Sequence, residues 1–467
     1  MLPQVRALRA RFGDRLAVVG VHSGKFPAER ETRRIARAVE RLGVAYPVVN
    51  DRHFRVWRAW AARGWPTLAL VDARGYVVGT LLGERTADQL APAVARLIDE
   101  AAAAPTPVEG GARPIAVVAA APVARPLRFP GKVAVSEPDA DGARHLAIAD
   151  TGHHRVLVGR LHDGGRRLHV AHVVGRGRAT GDVHGPAPGG STRADLAARA
   201  DGPPGAATFD GPQGLAFGRG ADAGTLYVAD AGNHAVRAID RATGAVRTLV
   251  GTGARRRTAA DREAGAMASP WELAHVVGAA GRPSLVVAMA GTHELWRVDT
   301  ATGAAGPIVG GRGEGLLDGT LADALLAQPM ALVADGPRAW WVDAEASAVR
   351  WATLPTAAEP AGRVGTLVGT GLFDFGLRDG VGDGARLQHP QGLARLGDGR
   401  LLVADTYNDA LRWVEPETRR VTTVGEGVVE AGGVAVAGEE VWVAETGGHR
   451  VRGRGAKGEE WEVEVSG

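Results

Sequence analysis

Histidine and aspartate recur at a fixed spacing in this chain, and both side chains can ligate metals or transfer protons. The pattern D-x-G-x-H-x-V occurs at Asp150–Val156 and again at Asp230–Val236, with the imidazole four residues after the carboxylate. A metal site would need such ligands to converge on one point. Repetition at regular intervals favours a structural role instead, in which these side chains bind the backbone amides of turns.

The repeat becomes clear when six ten-residue segments are aligned, each with an apolar strand, a polar turn and a second strand. The segments begin at Ala147, Tyr227, Val286, Trp340, Leu402 and Trp442. We expect structural roles at the equivalent turn positions, which are Asp150, His154, Asp230, His234, His293, Asp343, Asp405, Glu445 and His449. Met289 replaces the carboxylate in the third segment, and Ala344–Ala348 lacks the Asn-His pair in the fourth.

A second apolar stretch precedes each segment, for example GPQGLAF from Gly211 and HPQGLAR from His389, so each unit supplies four short strands. One four-stranded sheet cannot bury both of its faces alone, whereas six sheets arranged radially can. The predicted fold class is mixed, with a partial α/β domain followed by an all-β six-bladed propeller over residues 125–467. Because the last unit ends in EWEVEV (Glu460–Val465), we expect the sixth blade to own all four strands.

Residues 1–104 follow another pattern, in which apolar strands alternate with amphipathic helices. Arg15–Ser23 predicts a continuous buried strand, and Thr67–Asp72 with Tyr76–Gly83 predicts a hairpin. Helices are predicted over residues 29–42, 52–62 and 86–103. Residues 105–124 are rich in Ala, Pro and Gly and predict a linker.

Two motifs resemble known families. D-x-G-x-H-x-V resembles the NHL repeat, and GWPTL (Gly64–Leu68) resembles the stretch that carries a cis-proline in thioredoxin-like domains. A thioredoxin-like segment followed by an NHL propeller is similar to the family of NHL repeat-containing protein 2 and its bacterial relatives.

The resemblance implies a cis Trp65–Pro66 bond and a peptide-binding role for Trp65, Pro66 and Thr67. It also implies that the first strand and the CxxC motif of such a domain would precede Met1. We therefore expect an N-terminally truncated, bacterial-type member without the C-terminal β-stalk of the animal proteins.

The chain contains no cysteine, so it cannot itself form a thiolate nucleophile or a disulfide. No catalytic residue is therefore assigned. The residues that follow the strand-opening positions of the propeller are Gly131, Gln213, Trp271, Met330, Gln391 and Gly432. None of these side chains is a good zinc ligand, and we expect neither a metal nor another cofactor.

Two loops, Gly175–Arg178 and Ala254–Thr258, carry arginines that could contact phosphate. They lack the interleaved aromatic side chains on which bases stack, so the sequence does not favour a nucleic-acid partner. The long insertion Gly177–Ala207 predicts a lid or a partner-binding segment. Since no segment has the apolar length of a signal peptide or a bilayer span, we expect a cytoplasmic protein without membrane association.

These features predict a non-enzymatic protein-interaction scaffold with a protein or peptide partner, and they leave its oligomeric state open. Two alternatives also stay open. The first is a thiol–disulfide oxidoreductase whose CxxC segment is missing from this chain. The second is a metal-dependent propeller lyase or lactonase.

Overall fold

A computed structural model describes residues 1–103, 125–175, 199–256, 258–278, 281–355, 361–455 and 458–466. The chain divides into two compact units, Met1–Pro122 and Val123–Gly467. The predicted linker over 105–124, and most of the predicted insertion Gly177–Ala207, lie outside the described residues. Among the helices that the structure describes, none is both long enough and apolar enough to cross a bilayer.

The N-terminal unit alternates helices and strands. Its elements are α1 (Leu2–Phe12), β1 (Gly20–His22), α2 (Thr32–Arg41), β2 (Val48–Asn50), α3 (Arg55–Ala59), β3 (Thr67–Val71), β4 (Val77–Leu82) and α4 (Ala87–Ala102). β1 and β2 pair in parallel, whereas β3 and β4 form the predicted antiparallel hairpin. Leu8 and Phe12 of α1 and Leu90 of α4 pack against Leu68 and Leu70 of the hairpin, which builds the core of this unit.

The first predicted strand is shorter and more exposed than expected. Only Gly20–His22 of the predicted stretch Arg15–Ser23 is a strand, and the exposed fractions of Val19 and Val21 are 52% and 45%. In the part of the chain that the structure describes, β1 pairs with β2 alone. The prediction of a continuous buried strand is therefore wrong, because no second strand covers its other edge there.

The second unit is a propeller of six sheets, as predicted. Blade 1 contains β5 (Lys132–Val135), β6 (His145–Asp150), β7 (Arg155–His162) and β8 (Arg167–Val174). Blade 2 contains β9 (Pro212–Phe217), β10 (Thr225–Asp230), β11 (Ala235–Asp240) and β12 (Val246–Val250). Blade 3 follows the short helix α5 (Ala259–Glu263) and contains β13 (Pro270–Val277), β14 (Pro283–Met289), β15 (Glu294–Asp299) and β16 (Ala305–Gly310).

The other three blades repeat the arrangement. Blade 4 contains β17 (Pro329–Asp335), β18 (Arg338–Asp343), β19 (Ala348–Thr353) and β20 (Arg363–Val368). Blade 5 contains β21 (Gly380–Val381), which pairs with the outermost strand, then β22 (Gly392–Arg395), β23 (Leu401–Asp405), β24 (Ala410–Glu415) and β25 (Arg420–Glu426). Blade 6 contains β26 (Ala431–Ala437), β27 (Glu440–Glu445), β28 (Arg450–Arg454) and β29 (Glu460–Glu462). The first full-length strand of every blade is innermost, and each inner strand contacts those of both neighbouring blades.

The last blade owns four strands, as expected, but the predicted strand Glu460–Val465 is divided between two blades. Glu460–Glu462 completes blade 6, and the chain continues as β30 (Glu464–Ser466), parallel to β8 of blade 1. Val463 lies between them, buried, and its N–H donates to the carbonyl of Val451. The strand divides because its end pairs with the first blade, and this pairing joins the end of the propeller to its beginning.

Candidate functional site

The repeated histidines connect neighbouring blades. His154 has a left-handed backbone conformation (φ 55°), and its Nδ1 accepts the N–H of Gly211, 3.0 Å away, in the segment that opens the next inner strand. The same bond joins His234 to Ser269 (3.0 Å), His293 to Gln328 (3.0 Å) and His449 to Phe129 (3.2 Å). At the other two interfaces, Ser347 Oγ accepts from His389 (3.1 Å) and Asp409 Oδ1 accepts from Glu430 (2.9 Å). At all six blade interfaces, a side chain of one blade therefore accepts a backbone N–H that precedes the inner strand of the next blade.

This geometry requires a neutral imidazole with Nδ1 as the acceptor. Burial, reinforced by the charge of Arg255, lowers the pKa of His234 to about 4 and keeps that ring neutral. The four histidines are spread over four interfaces, each with its own backbone partner. Within the described ranges, no group of three His, Asp or Glu side chains could hold a metal ion.

The turn carboxylates are fully buried beside the same loops. Asp230 Oδ1 accepts the N–H of Asp210 (2.9 Å), while Oδ2 accepts from Asn233 (2.9 Å) and Arg237 (2.8 Å). Burial raises the pKa of Asp230 to about 6, and the Arg237 charge opposes that rise. Corresponding ion pairs are Asp150–Arg155 (2.7 Å), Asp343–Arg350 (3.1 Å), Asp405–Arg412 (2.7 Å) and Glu445–Arg452 (2.9 Å).

In three blades, the buried arginine also binds a second carboxylate. Arg237 donates to Asp201 (2.7 Å), which in turn accepts the N–H and the hydroxyl of Thr248. The same triad recurs as Arg350–Asp318–Thr366 and Arg412–Asp379–Thr423. Sequence reasoning missed these arginines, although each follows its turn carboxylate by seven residues.

Blade 3 keeps a buried carboxylate in spite of its methionine. Met289 ends the second strand, as the aligned aspartates do, and lies opposite Glu294 in the ladder. Buried Glu294 accepts from Trp296 Nε1 (2.9 Å) and pairs with Arg256. Arg256, which belongs to the basic loop Ala254–Thr258, therefore forms a structural ion pair with blade 3.

A buried ion pair lies where the inner strands meet. Lys132 Nζ is 3.1 Å from Glu272 Oε2 and also donates to the carbonyls of Met330 (2.8 Å) and Gln391, so four blades converge on one ammonium. Burial lowers the pKa of Lys132 and raises that of Glu272, and each partner's charge opposes the shift. A Cβ on Gly433 would lie 2.8 Å from the Lys132 Cα, so glycine is needed there.

Sequence reasoning considered Gly131 and Trp271 as possible ligands. It therefore missed Lys132 and Glu272, which each follow one residue later in the same inner strands. A cavity of about 570 Å³ extends from Glu272 between the inner strands. Small apolar residues line it, namely Ala134, Ala216, Ala274, Val333, Ala394 and Ala435. Two of its charged lining residues, Arg219 and Arg395, pair with Glu137 and Asp335, each at 3.1 Å.

Trp65 forms an exposed aromatic surface on the N-terminal unit. Its Nε1 donates to the carbonyl of Ser23 (2.8 Å), and its ring lies 4.7 Å from that of Trp57, yet half of the residue stays exposed. The Trp65–Pro66 bond is cis, as the resemblance implied. The Pro66 carbonyl accepts the N–H of Gly83 (2.8 Å), and the Thr67 hydroxyl donates to the Gly64 carbonyl (2.7 Å).

Asp51 holds the helix beneath this surface. Its buried carboxylate accepts the N–H groups of Arg55 (2.7 Å), Val56 (3.1 Å) and Trp57 (2.9 Å) and the hydroxyl of Ser23 (2.9 Å). Burial favours the neutral acid, but these hydrogen bonds outweigh it and lower the pKa of Asp51. Sequence reasoning missed Asp51, although an aspartate just before a helix is a capping signal.

Comparison with known proteins gives several extensive matches among curated sequences, of which two are described below, and no protein-family model matches the chain. The chain is 32% identical over 508 residues to human NHL repeat-containing protein 2, covering 97% of this chain and 64% of that protein. It is 30% identical over 443 residues to the chloroplastic protein SUPPRESSOR OF QUENCHING 1 of Arabidopsis thaliana, covering 91% and 38%. The chain thus spans less than two thirds of the length of either relative.

Among solved structures, a streptogramin B lyase is 11% identical, with a TM-score of 0.40, and the match covers 74% of this chain and 86% of that one.

Proposed function

Since the chain belongs to the family of NHL repeat-containing protein 2, we propose that it is a non-enzymatic scaffold that binds an extended segment of a partner protein. The main support is Trp65, which is half exposed although a hydrogen bond and a neighbouring ring hold it in place. Tryptophan is enriched among the residues that dominate binding energy. A side chain that is already fixed loses little conformational entropy on binding.

The propeller supports this function as a rigid frame. The interblade hydrogen bonds and buried arginines hold the loops between blades at defined positions, as in other proteins that bind through loops on a fixed scaffold. Apolar side chains project from two of these loops, and the exposed fraction of Phe373 reaches 73%. Leu317 and Leu377 are also exposed. These exposed apolar side chains are available to contact a partner.

The thioredoxin-like character of the N-terminal unit is part of the proposal. The order of its elements, with α2 and α3 around β2 and a hairpin before α4, supports the likeness. Because the chain has no cysteine, it contributes no thiolate of its own. We therefore assign binding, and not thiol chemistry, to this unit.

Site-specific photo-crosslinking tests the proposal. A benzophenone amino acid replaces Trp60, an exposed tryptophan at the end of α3 and five residues before Trp65, and the full chain is irradiated in an extract of its source cells. The matched control carries the same group at Tyr76, an exposed aromatic residue of the same unit on the β3–β4 turn. We expect discrete protein adducts at position 60 that excess wild-type protein competes away and the variant W65A does not.

Equal adducts at positions 60 and 76 would contradict a specific surface at Trp65. So would competition by W65A as effective as that by the wild type. Unfolding temperatures of the variants show whether they remain folded.

A further inference from the structure

Positive charge and aromatic side chains are concentrated between Asp51 and Pro66. The basic and aromatic residues of this stretch are Arg52, Arg55, Arg58 and Arg63, with Phe54, Trp57, Trp60 and Trp65. Residues 1–103 contain 17 Lys and Arg against 10 Asp and Glu, although the net charge of the whole chain is only +3. Residues 1–103 therefore carry a formal net charge of +7, and the remainder of the chain is net negative.

The four arginines are exposed and have no carboxylate partner among the described residues. Arg58 donates to the backbone carbonyl of His53 (2.7 Å), which leaves its charge unneutralised. Two other exposed arginines of the unit are paired with carboxylates, Arg74 with Asp72 and Arg96 with Glu100. Four guanidinium groups without a carboxylate partner thus lie within the single stretch Arg52–Arg63.

The only carboxylate of this stretch points inward. Asp51 is 5% exposed, and its carboxylate oxygens accept hydrogen bonds from the amides of α3 and the Ser23 hydroxyl. It anchors α3, which carries Arg55 and Arg58, without neutralising them. The exposed charged side chains of Arg52–Trp65 are therefore all cationic.

The same stretch of chain also carries exposed tryptophans. The exposed fractions of Trp60 and Trp65 are 46% and 50%, and the Trp57 ring covers part of Trp65. We propose that the surface formed by Arg52–Trp65 binds an acidic, extended peptide segment that contains an aromatic or proline residue. Guanidinium groups bind carboxylates through paired hydrogen bonds, and an exposed indole provides the apolar contact.

This inference rests on the proposed scaffold function and adds the chemical class of the partner segment. A single-stranded nucleic acid would also meet positive charge here. Such binders place several aromatic rings along a groove so that successive bases stack, whereas Trp57 already occupies part of the Trp65 ring. One partly open ring beside several arginines fits one side chain of an acidic peptide better.

Fluorescence anisotropy with defined probes tests the inference on the full chain. The probes are a labelled peptide of Glu and Asp around a central Phe-Pro, the same peptide with Lys at every acidic position, and a labelled oligothymidylate. We expect the acidic peptide to bind on the order of tenfold more tightly than the other two, and more weakly as salt rises.

The double variant R55A/R58A should weaken binding of the acidic peptide about fivefold, as expected for the loss of two exposed charge contacts. The matched control R74A/R96A removes two exposed arginines from the same unit and should change it less than about twofold. Equal effects of the two variants, or equal or tighter binding of the basic peptide or the oligonucleotide, would overturn the inference.

The two proposals fail differently. Adducts specific to position 60 without binding of the acidic peptide would overturn the acidic partner and leave the scaffold function standing. Binding of the peptide without such adducts would support the acidic surface and overturn the scaffold function in the cell extract.

Discussion

His154 in blade 1 accepts the backbone N–H of Gly211 in blade 2 through Nδ1, at 3.0 Å. The histidine has a left-handed backbone conformation and the glycine opens the next inner strand, so the D-x-G-x-H motif joins one blade to the next. The bond from Phe129 to His449 completes the ring between the last blade and the first. Every interface has an acceptor at this position, which is a histidine at four interfaces and Ser347 or Asp409 at the other two.

Two substitutions of His154 distinguish the contribution of its hydrogen-bond acceptor from that of the rest of the imidazole ring. In H154N, Oδ1 occupies the place of Nδ1 and asparagine tolerates the left-handed backbone, so we expect stability close to that of the wild type. In H154L the N–H of Gly211 loses its partner, at a cost of about 1–3 kcal/mol. Urea unfolding measures both, with H53L as a control at an exposed histidine. Equal stability of H154N and H154L would show that the hydrogen bond contributes nothing.

The pH dependence of stability follows from the His234 ring. Its pKa is about 4 in the folded chain, lowered by burial and by Arg255, against an ordinary value of 6.5. The unfolded chain takes up the proton first as the pH falls, so the stability due to neutral His234 is complete above about pH 6.5 and is lost toward pH 4.

The difference in unfolding free energy between wild type and H234N isolates this effect. It should shift against the wild type on acidification, by at most about 1.4 kcal/mol per pH unit. Burial raises the pKa of Asp230 and Asp405 to about 6, which acts in the opposite direction, but both proteins share these groups. A difference that stays constant across this range would contradict the assignment.

The six blades could be predicted because strand, turn and strand recur six times in register, with a buried carboxylate at most turns. The partners of the turn residues could not. The Nδ1 of His154 lies within reach of Gly211 only once adjacent blades pack, and their separation of 57 residues contains no local signal. Lys132 and Glu272 likewise lie far apart in the sequence, and only the closed ring brings blades 1 and 3 together.

The buried arginines of the triads should be essential to stability. R350M leaves Asp343 buried and unpaired and removes the hydrogen bonds to Asp318, so we expect a loss of about 3–5 kcal/mol. The matched control R219M breaks the exposed pair with Glu137 and should cost less than about 1 kcal/mol. Thermal or urea unfolding measures the loss of stability in R350M and R219M. Similar losses would contradict the claim that the buried ion pair contributes more to stability than the exposed one.

Breaking the buried ion pair between Lys132 and Glu272 should lower the free energy of unfolding by an amount that depends on pH. K132M leaves Glu272 buried without its cation, so the Glu272 pKa, which burial already raises, should rise further. Because the folded chain then holds a proton that the unfolded chain releases, the loss of stability should be larger at neutral pH than in mild acid. The double variant K132M/E272M should recover part of the loss, since no buried charge remains unpaired. A pH-independent penalty, or a double variant less stable than K132M, would contradict a buried ion pair.

Selection from an unbiased library of displayed random peptides against the full chain tests the scaffold account most directly. We predict enrichment of acidic sequences with an aromatic or proline residue, and these should lose binding to W65A while retaining binding to Y76A. No enrichment, or a set of peptides that binds W65A as well as the wild type, would contradict the central claim that this protein acts by binding a partner segment at Trp65.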